Sequence, residues 1–192
     1  MPRAGLNAAG VVRAAANLAD ADGLDALTLA RIAASVGVRT PSLYNHVDGL
    51  DDVRRGVALV GLREIGEALR DAAVGRAGDD ALTAMAHAYR AYARAHPGRY
   101  AATQRAPAAG DDEMADAARG SVGVVLAILR GYGLEGDDAI HAARAVRSAL
   151  HGFVALETGG GFGIPVDLDE SFDRMVAALA RGLRDGAPAT SR

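Results

Sequence analysis

Between Arg39 and His46 the chain gathers side chains able to hydrogen-bond to base edges and phosphate oxygens: Arg39, Thr40, Ser42, Tyr44, Asn45 and His46. Arg39 is the best candidate for a bidentate guanine contact. Two short helices and a tight turn must position these groups. Thr28 is an N-cap by type, since its hydroxyl can accept a first-turn backbone N–H. Leu29, Ile32, Ala33 and Val36 then recur at helical spacing and give one apolar face. Gly37 follows, where a left-handed residue stops a helix at least cost. Thr40 offers a second capping hydroxyl, and Pro41 then takes the first helical position, where its missing N–H is no loss. Leu43 and Val47 face inward, which leaves Thr40, Ser42, Tyr44, Asn45 and His46 outside. At about 1.5 Å per residue Thr40 to Val47 spans about 12 Å, comparable with a major groove about 12 Å wide. The positive end of this helix suits a phosphate. The pattern is a helix-turn-helix whose second helix is a recognition helix.

The run Leu27-Thr28-Leu29-x-x-Ile32-Ala33, then Gly37-Val38, then Pro41-x-Leu43-Tyr44-x-His46-Val47 closely resembles the DNA-binding domain of TetR-type (tetracycline-repressor-like) regulators. The likeness covers roughly the first quarter of the chain. It implies an all-helical, homodimeric repressor that binds a DNA operator and leaves it when a small-molecule effector binds. Position by position, it implies that Thr40, Pro41 and Ser42 meet base edges, that Tyr44 and His46 meet phosphates, and that Thr28 touches the backbone from the preceding helix. From the residues alone, Tyr44 also reads as a partly buried core residue and Asn45 as a solvated one. One departure stands out. Family members often carry a lysine in the loop after the recognition helix, whereas this loop is Asp48-Gly49-Leu50-Asp51-Asp52. Asp51 or Asp52 can serve the next helix, where carboxylates favour the dipole. Weak non-specific affinity and a shallow salt slope are expected.

Composition bounds the rest. The 192 residues are 50% hydrophobic and only 4% aromatic, and alanine dominates, which favours an all-α fold. The absence of cysteine excludes disulfides and thiolate metal sites. No charged-then-apolar signal opens the chain, and no apolar run approaches the roughly 18 residues that span a bilayer. A soluble, cytoplasmic protein is expected. Net charge is −3, and all 21 basic residues are arginine. Residues 1–47 carry Arg3, Arg13, Arg31 and Arg39 against Asp20, Asp22 and Asp25, a balance of +1. Charge alone would not have suggested DNA.

In chain order, residues 1–6 read as a short flexible arm, more simply a frayed terminus than a contact through which Arg3 reaches DNA. Helical patterns follow over about 7–21, 50–74, 79–96, 112–132, 137–158 and 168–184, with a short helix at 100–105 after the break at Pro97-Gly98. A tail begins at Gly186. The expected organisation is an N-terminal three-helix helix-turn-helix domain over 1–50 and a C-terminal helical-bundle domain over 51–192 for ligand binding and dimerisation. The His96-Pro97-Gly98-Arg99-Tyr100 stretch resembles the family's body domain. Leu150-His151-Gly152-Phe153, with Glu157 and Gly159 to Phe162, resembles a body subclass with a Trp-His-Gly signature, although Leu150 replaces the tryptophan.

Met85, Tyr89, Tyr92, Met114 and Phe153 are most simply core, but the resemblance implies a ligand cavity between such helices. An apolar pocket with a few polar groups is the ordinary small-molecule site. Arg147 and His151, four apart on one helix, are its candidate polar contacts. The last two long helices, about 137–158 and 168–184, are amphipathic and need a partner surface, which a second copy supplies. Gly152 there permits close approach. The dimer would present two heads about one turn of DNA apart, or a multiple of it, to a pseudo-palindromic operator. Asp137, Asp138 and His141 read as a helix start and a surface histidine rather than a metal site, and Gly159-Gly160-Gly161 lacks the lysine of a phosphate cradle. No cofactor or catalytic residue is expected. The rival class, a helical enzyme or carrier bearing this motif, calls for clustered carboxylates or histidines in the body, and none is evident.

Overall fold

The computed structural model describes residues 6–185, all of them helix, turn or loop. The Arg3 arm and the tail from Gly186 lie outside the described residues. In order the helices are α1 (Ala8–Asp22), α2 (Leu29–Ser35), α3 (Thr40–Leu43), α4 (Leu50–Ala73), α5 (Gly78–Ala95), α6 (Pro97–Ala102), α7 (Asp112–Arg130), α8 (Gly136–Thr158) and α9 (Leu168–Asp185), with a 3₁₀ turn at Leu24–Ala26. The all-α expectation holds. No helix among the described residues is long and apolar enough to cross a membrane.

Packing divides the chain into two compact units. One gathers the chain up to Glu64 with Ala95–Ala115, and the other gathers Ile65–Arg94 with the chain from Asp116. The long helix α4 therefore gives its first part to one unit and its last to the other. We call the two the head unit and the body unit.

In the head unit, Asn7 caps α1 by accepting the Gly10 N–H at 2.8 Å, and Gly23, at φ 89°, ends the helix. Val11, Ala15 and Ala19 are buried as their spacing requires; Ala16 joins them, while Leu18 is only half-buried. The helix expected at 100–105 starts earlier, at Pro97. Proline at a first helical turn loses no hydrogen bond, so Pro97 both ends α5 and opens α6. Gly98 then sits directly on α1: a Cβ there would lie 2.1 Å from the Ala19 carbonyl carbon. Gly61 of α4 makes the same kind of approach, its missing Cβ 2.9 Å from the Arg99 carbonyl oxygen. Around this contact Asp20 accepts the Arg99 backbone N–H at 2.9 Å and lies 3.2 Å from His96 Nδ1. The Arg99 guanidinium reaches Asn17 Oδ1 at 2.6 Å and Glu64 Oε2 at 3.3 Å. Arg55 of α4 grips Asp111 through two hydrogen bonds of 2.6 Å and also reaches Glu113 at 3.1 Å.

The body unit is centred on Phe172 of α9, which is fully buried. Its ring stands edge-on to Phe153 of α8 at 5.1 Å and to His87 of α5 at 5.4 Å. Arg90 of α5 lies over the Phe172 ring, its guanidinium carbon 4.8 Å from the centroid. That side chain is only 7% exposed, so its charge must be met. Glu157 meets it with two hydrogen bonds of 2.9 and 2.6 Å, and Asp169 lies 2.8 Å away. The Arg90 guanidinium, with burial working against it, holds the Glu157 carboxyl below the usual carboxylate range. Tyr132 donates to Asp79 at 2.8 Å, and burial pushes its phenol above the ordinary tyrosine range.

Two outcomes follow. Gly98→Ala should destabilise the fold by about 1–3 kcal/mol, since backbone rather than a flexible side chain blocks the new methyl; denaturant melts unchanged from wild type would contradict this. Because Glu157 titrates below its unfolded value, its contribution is complete above about pH 5 and fades as pH falls through the folded value. Glu157→Gln should therefore flatten the acid limb of melting temperature against pH, and an acid limb as steep as wild type would rule the pair out as its source.

Candidate nucleic-acid interface and body cavity

The turn between α2 and α3 is built as its residues require. Thr28 Oγ1 accepts the Arg31 N–H at 3.2 Å and so caps α2. Gly37 takes φ 70°, and the Val38 N–H returns to the Ala33 carbonyl at 3.0 Å. The start of the recognition helix needs a correction. Arg39, extended at φ −86° and ψ 147°, is the N-cap, without a side-chain cap bond. Thr40 is already helical and Pro41 is second. Its missing N–H is still harmless, because that N–H belongs to the unpaired first turn. The uniform rise expected from Thr40 to Val47 also fails beyond Leu43. There the chain tightens, with the His46 and Val47 N–H groups both donating to the Leu43 carbonyl, at 2.8 and 3.0 Å.

The inward and outward faces follow the spacing. Leu43 and Val47 are buried, Ile32 and Ala33 beneath them likewise. Tyr44 is 59% exposed, which excludes the core reading of its ring. Thr28, Arg39, Pro41 and Asn45 are exposed, and Thr40, Ser42 and His46 half-buried. The head thus presents hydroxyl, amide, imidazole, phenol and guanidinium groups on one short segment. Arg39 makes no ion pair with any described residue, whereas Arg31 is spent on Asp22 at 2.5 Å and on the Ala26 carbonyl at 3.1 Å.

In the acidic loop, Asp52 Oδ2 accepts the Asp48 N–H at 3.1 Å, so this carboxylate works at the start of α4. Asp51 is fully exposed, 3.7 Å from Arg54. Arg54 is the first cation after the motif and was passed over in the sequence, where its acidic neighbours hide it. Its loose one-turn spacing from Asp51 is the signal that marks it.

None of the seven residues nominated for ligand contact lines the cavity described below. Met85, Tyr89, Tyr92, Met114 and Phe153 are all buried, Arg147 is exposed and His151 half-buried. Met114 belongs to the head unit and the other six to the body unit. Phe153 is packed edge-on against Phe172 and tilted against Phe162 at 5.0 Å. The body unit instead holds a cavity of about 450 Å³ elsewhere. Its walls are the end of α4 (Arg70, Ala73), the following turn and start of α5 (Val74, Arg76, Ala77, Gly78, Ala81), and α7 with the residue after it (Gly120, Gly123, Val124, Ala127, Ile128, Gly131). Only the two glycines inside α7, at a helical spacing of three, hint at it in the sequence.

Comparison with known proteins matches both parts of this arrangement. Residues 11–47 match the family model for bacterial regulatory proteins of the tetR family, and residues 82–179 that for the tetracyclin repressor-like C-terminal domain. An HTH-type transcriptional regulator of Mycobacterium tuberculosis is 46% identical over 174 residues, 90% of this chain and 79% of that protein. The HTH-type transcriptional regulator YobS of Bacillus subtilis is 36% identical over 182 residues, 95% of each chain. A TetR variant of Acinetobacter baumannii AYE, crystallised in complex with minocycline, shares the fold with a TM-score of 0.73 at 19% identity, over 96% of this chain and all of that one. With a profile match spanning half the chain and relatives this similar along most of it, the chain belongs to the TetR family of transcriptional regulators.

Proposed function

We propose that this protein is a cytoplasmic repressor that binds a pseudo-palindromic operator as a homodimer and is released from it by a small-molecule effector. Residues 1–50 would serve DNA and residues 51–192 the effector and the dimer. Thr40, Pro41 and Ser42 would meet base edges, with Arg39 on a guanine. Tyr44 and His46 would meet phosphates, and Thr28 and Asn45 would contact the backbone beside them. The observation that carries this reading is Tyr44, a large ring held 59% exposed directly after a buried Leu43. A ring left in water on a short helix gains most by contact with a partner. Arg54 can supply part of the phosphate contact that the acidic loop lacks.

For the dimer, α8 and α9 pack on each other and leave apolar side chains exposed to solvent. Leu156 is 50% exposed, and the loop after it carries Ile164 at 77% and Val166 at 60%. A Cβ at Gly152 or Gly182 would meet nothing within 4 Å, so both helices have room for a close neighbour. Effector response would pass along α4, whose two parts belong to different units; a ligand that prefers one arrangement of the body shifts the population of heads fit for DNA. Within the body unit, Tyr89, Tyr92, Met85 and Phe153, with Arg147 and His151, would take part where side-chain movement opens the interior. The complex of the Acinetobacter protein with minocycline supports a small-molecule effector.

Tyr44→Ala should abolish shifting of the protein's own promoter fragment in a gel while leaving the melting curve intact, and undiminished shifting would remove the recognition helix from consideration. Gly152→Arg, which the isolated subunit can accommodate, should give a monomer by light scattering and lose operator affinity by at least tenfold. A stable dimer in that variant would place the interface elsewhere.

A further inference from the structure

The cavity between α4, α5 and α7 deserves an occupant because the chain spends helix stability to keep it open. Gly120 and Gly123 lie inside α7, where glycine is a poor helix residue. Interior glycines are normally explained by a neighbour too close for a side chain. Here a Cβ at either position would meet nothing within 4 Å. With Val124 and Ala127 they fall on one face at helical spacing, and that face is a wall of the 450 Å³ cavity. The volume is that of an ordinary small-molecule site.

The charge at its rim narrows the ligand. Two arginines line the cavity, Arg70 and Arg76. Arg76 already serves the protein, donating to the Ala72 carbonyl at 2.7 Å and lying 3.6 Å from Asp80. The Arg70 guanidinium has no hydrogen bond or ion pair with any described residue, its backbone carbonyl alone accepting the Val74 N–H at 3.0 Å. The site therefore offers apolar walls, no carboxylate on its lining and one uncommitted guanidinium, a fork that matches a carboxylate.

We propose that this cavity is the effector site and that the effector is an amphipathic monoanion, an apolar chain or ring system carrying one carboxylate. The proposal rests on the reading of the protein as ligand-released. The walls would take the apolar part, at a gain set by the area removed from water, and Arg70 would pair with the carboxylate.

Sodium decanoate, below its micellar concentration, and 1-decanol are suitable probes, titrated calorimetrically into the full-length protein and two variants. Decanoate is expected to bind saturably and decanol at least tenfold more weakly. Arg70→Gln should weaken decanoate about tenfold and leave decanol unchanged. Gly123→Leu projects into open space and fills the cavity, so it should melt at or above the wild-type temperature yet lose both ligands. Absence of saturable decanoate binding, or binding that survives Gly123→Leu, overturns the proposal. So does a change of oligomeric state in Gly123→Leu, which would make the face a contact between proteins. Release of a fluorescent operator fragment separates the two readings. Decanoate that binds through Gly123 and Arg70 without releasing DNA upholds the site and refutes the switch, whereas release unaffected by Gly123→Leu refutes the site alone.

Discussion

The head unit depends on a contact in which two backbones meet without a side chain between them. Gly98 lies against the Ala19 peptide, so α6 can approach α1 more closely than any pair of side chains allows. Asp20 then serves α6 directly, by accepting the Arg99 N–H, while Arg99 reaches α1 and α4 together. Such a contact has little tolerance. Interiors packed at this density transmit displacement rather than absorb it. α6 is therefore fixed to the helix that supports the DNA-contacting motif, and its residues belong to the head although they follow α5 in sequence.

The chain passes between the two units within α4, within α7 and at the end of α5. Rigid helices carry motion better than loops, and a two-state arrangement of one helix suffices to couple distant sites. The ion pairs near these crossings are of unequal worth. Arg90 with Glu157 is enclosed, so its desolvated charges depend on each other. Arg63 with Glu113 is open to water and screened by salt.

The features legible in the sequence are those set by local spacing. Thr28 as a cap, Gly37 as a stop, and the buried Leu43 beside an exposed Tyr44 each follow from residue type and period. Boundaries set by a single peptide were missed by a residue or more. Thr40 looks like a cap until Arg39 is found extended before it, and Pro97-Gly98 looks like a break until the glycine is seen to be a docking point. The body was least legible. Aromatic and methionine residues mark an interior equally well whether it is filled or hollow, and the cavity between α4, α5 and α7 is lined mainly by alanine, glycine and arginine, which have no such signature.

Arg90 has a second consequence, for the segment between α8 and α9. Its guanidinium binds Glu157 on one side of that segment and Asp169 on the other, so the two ends are stapled together at the base. Once the ends of a loop are held, lengthening it costs only about 0.6 kcal/mol for each doubling. Chain closure therefore sets little limit on the length of the segment between Gly159 and Asp167, and what limits it is the packing of Phe162 on Phe153.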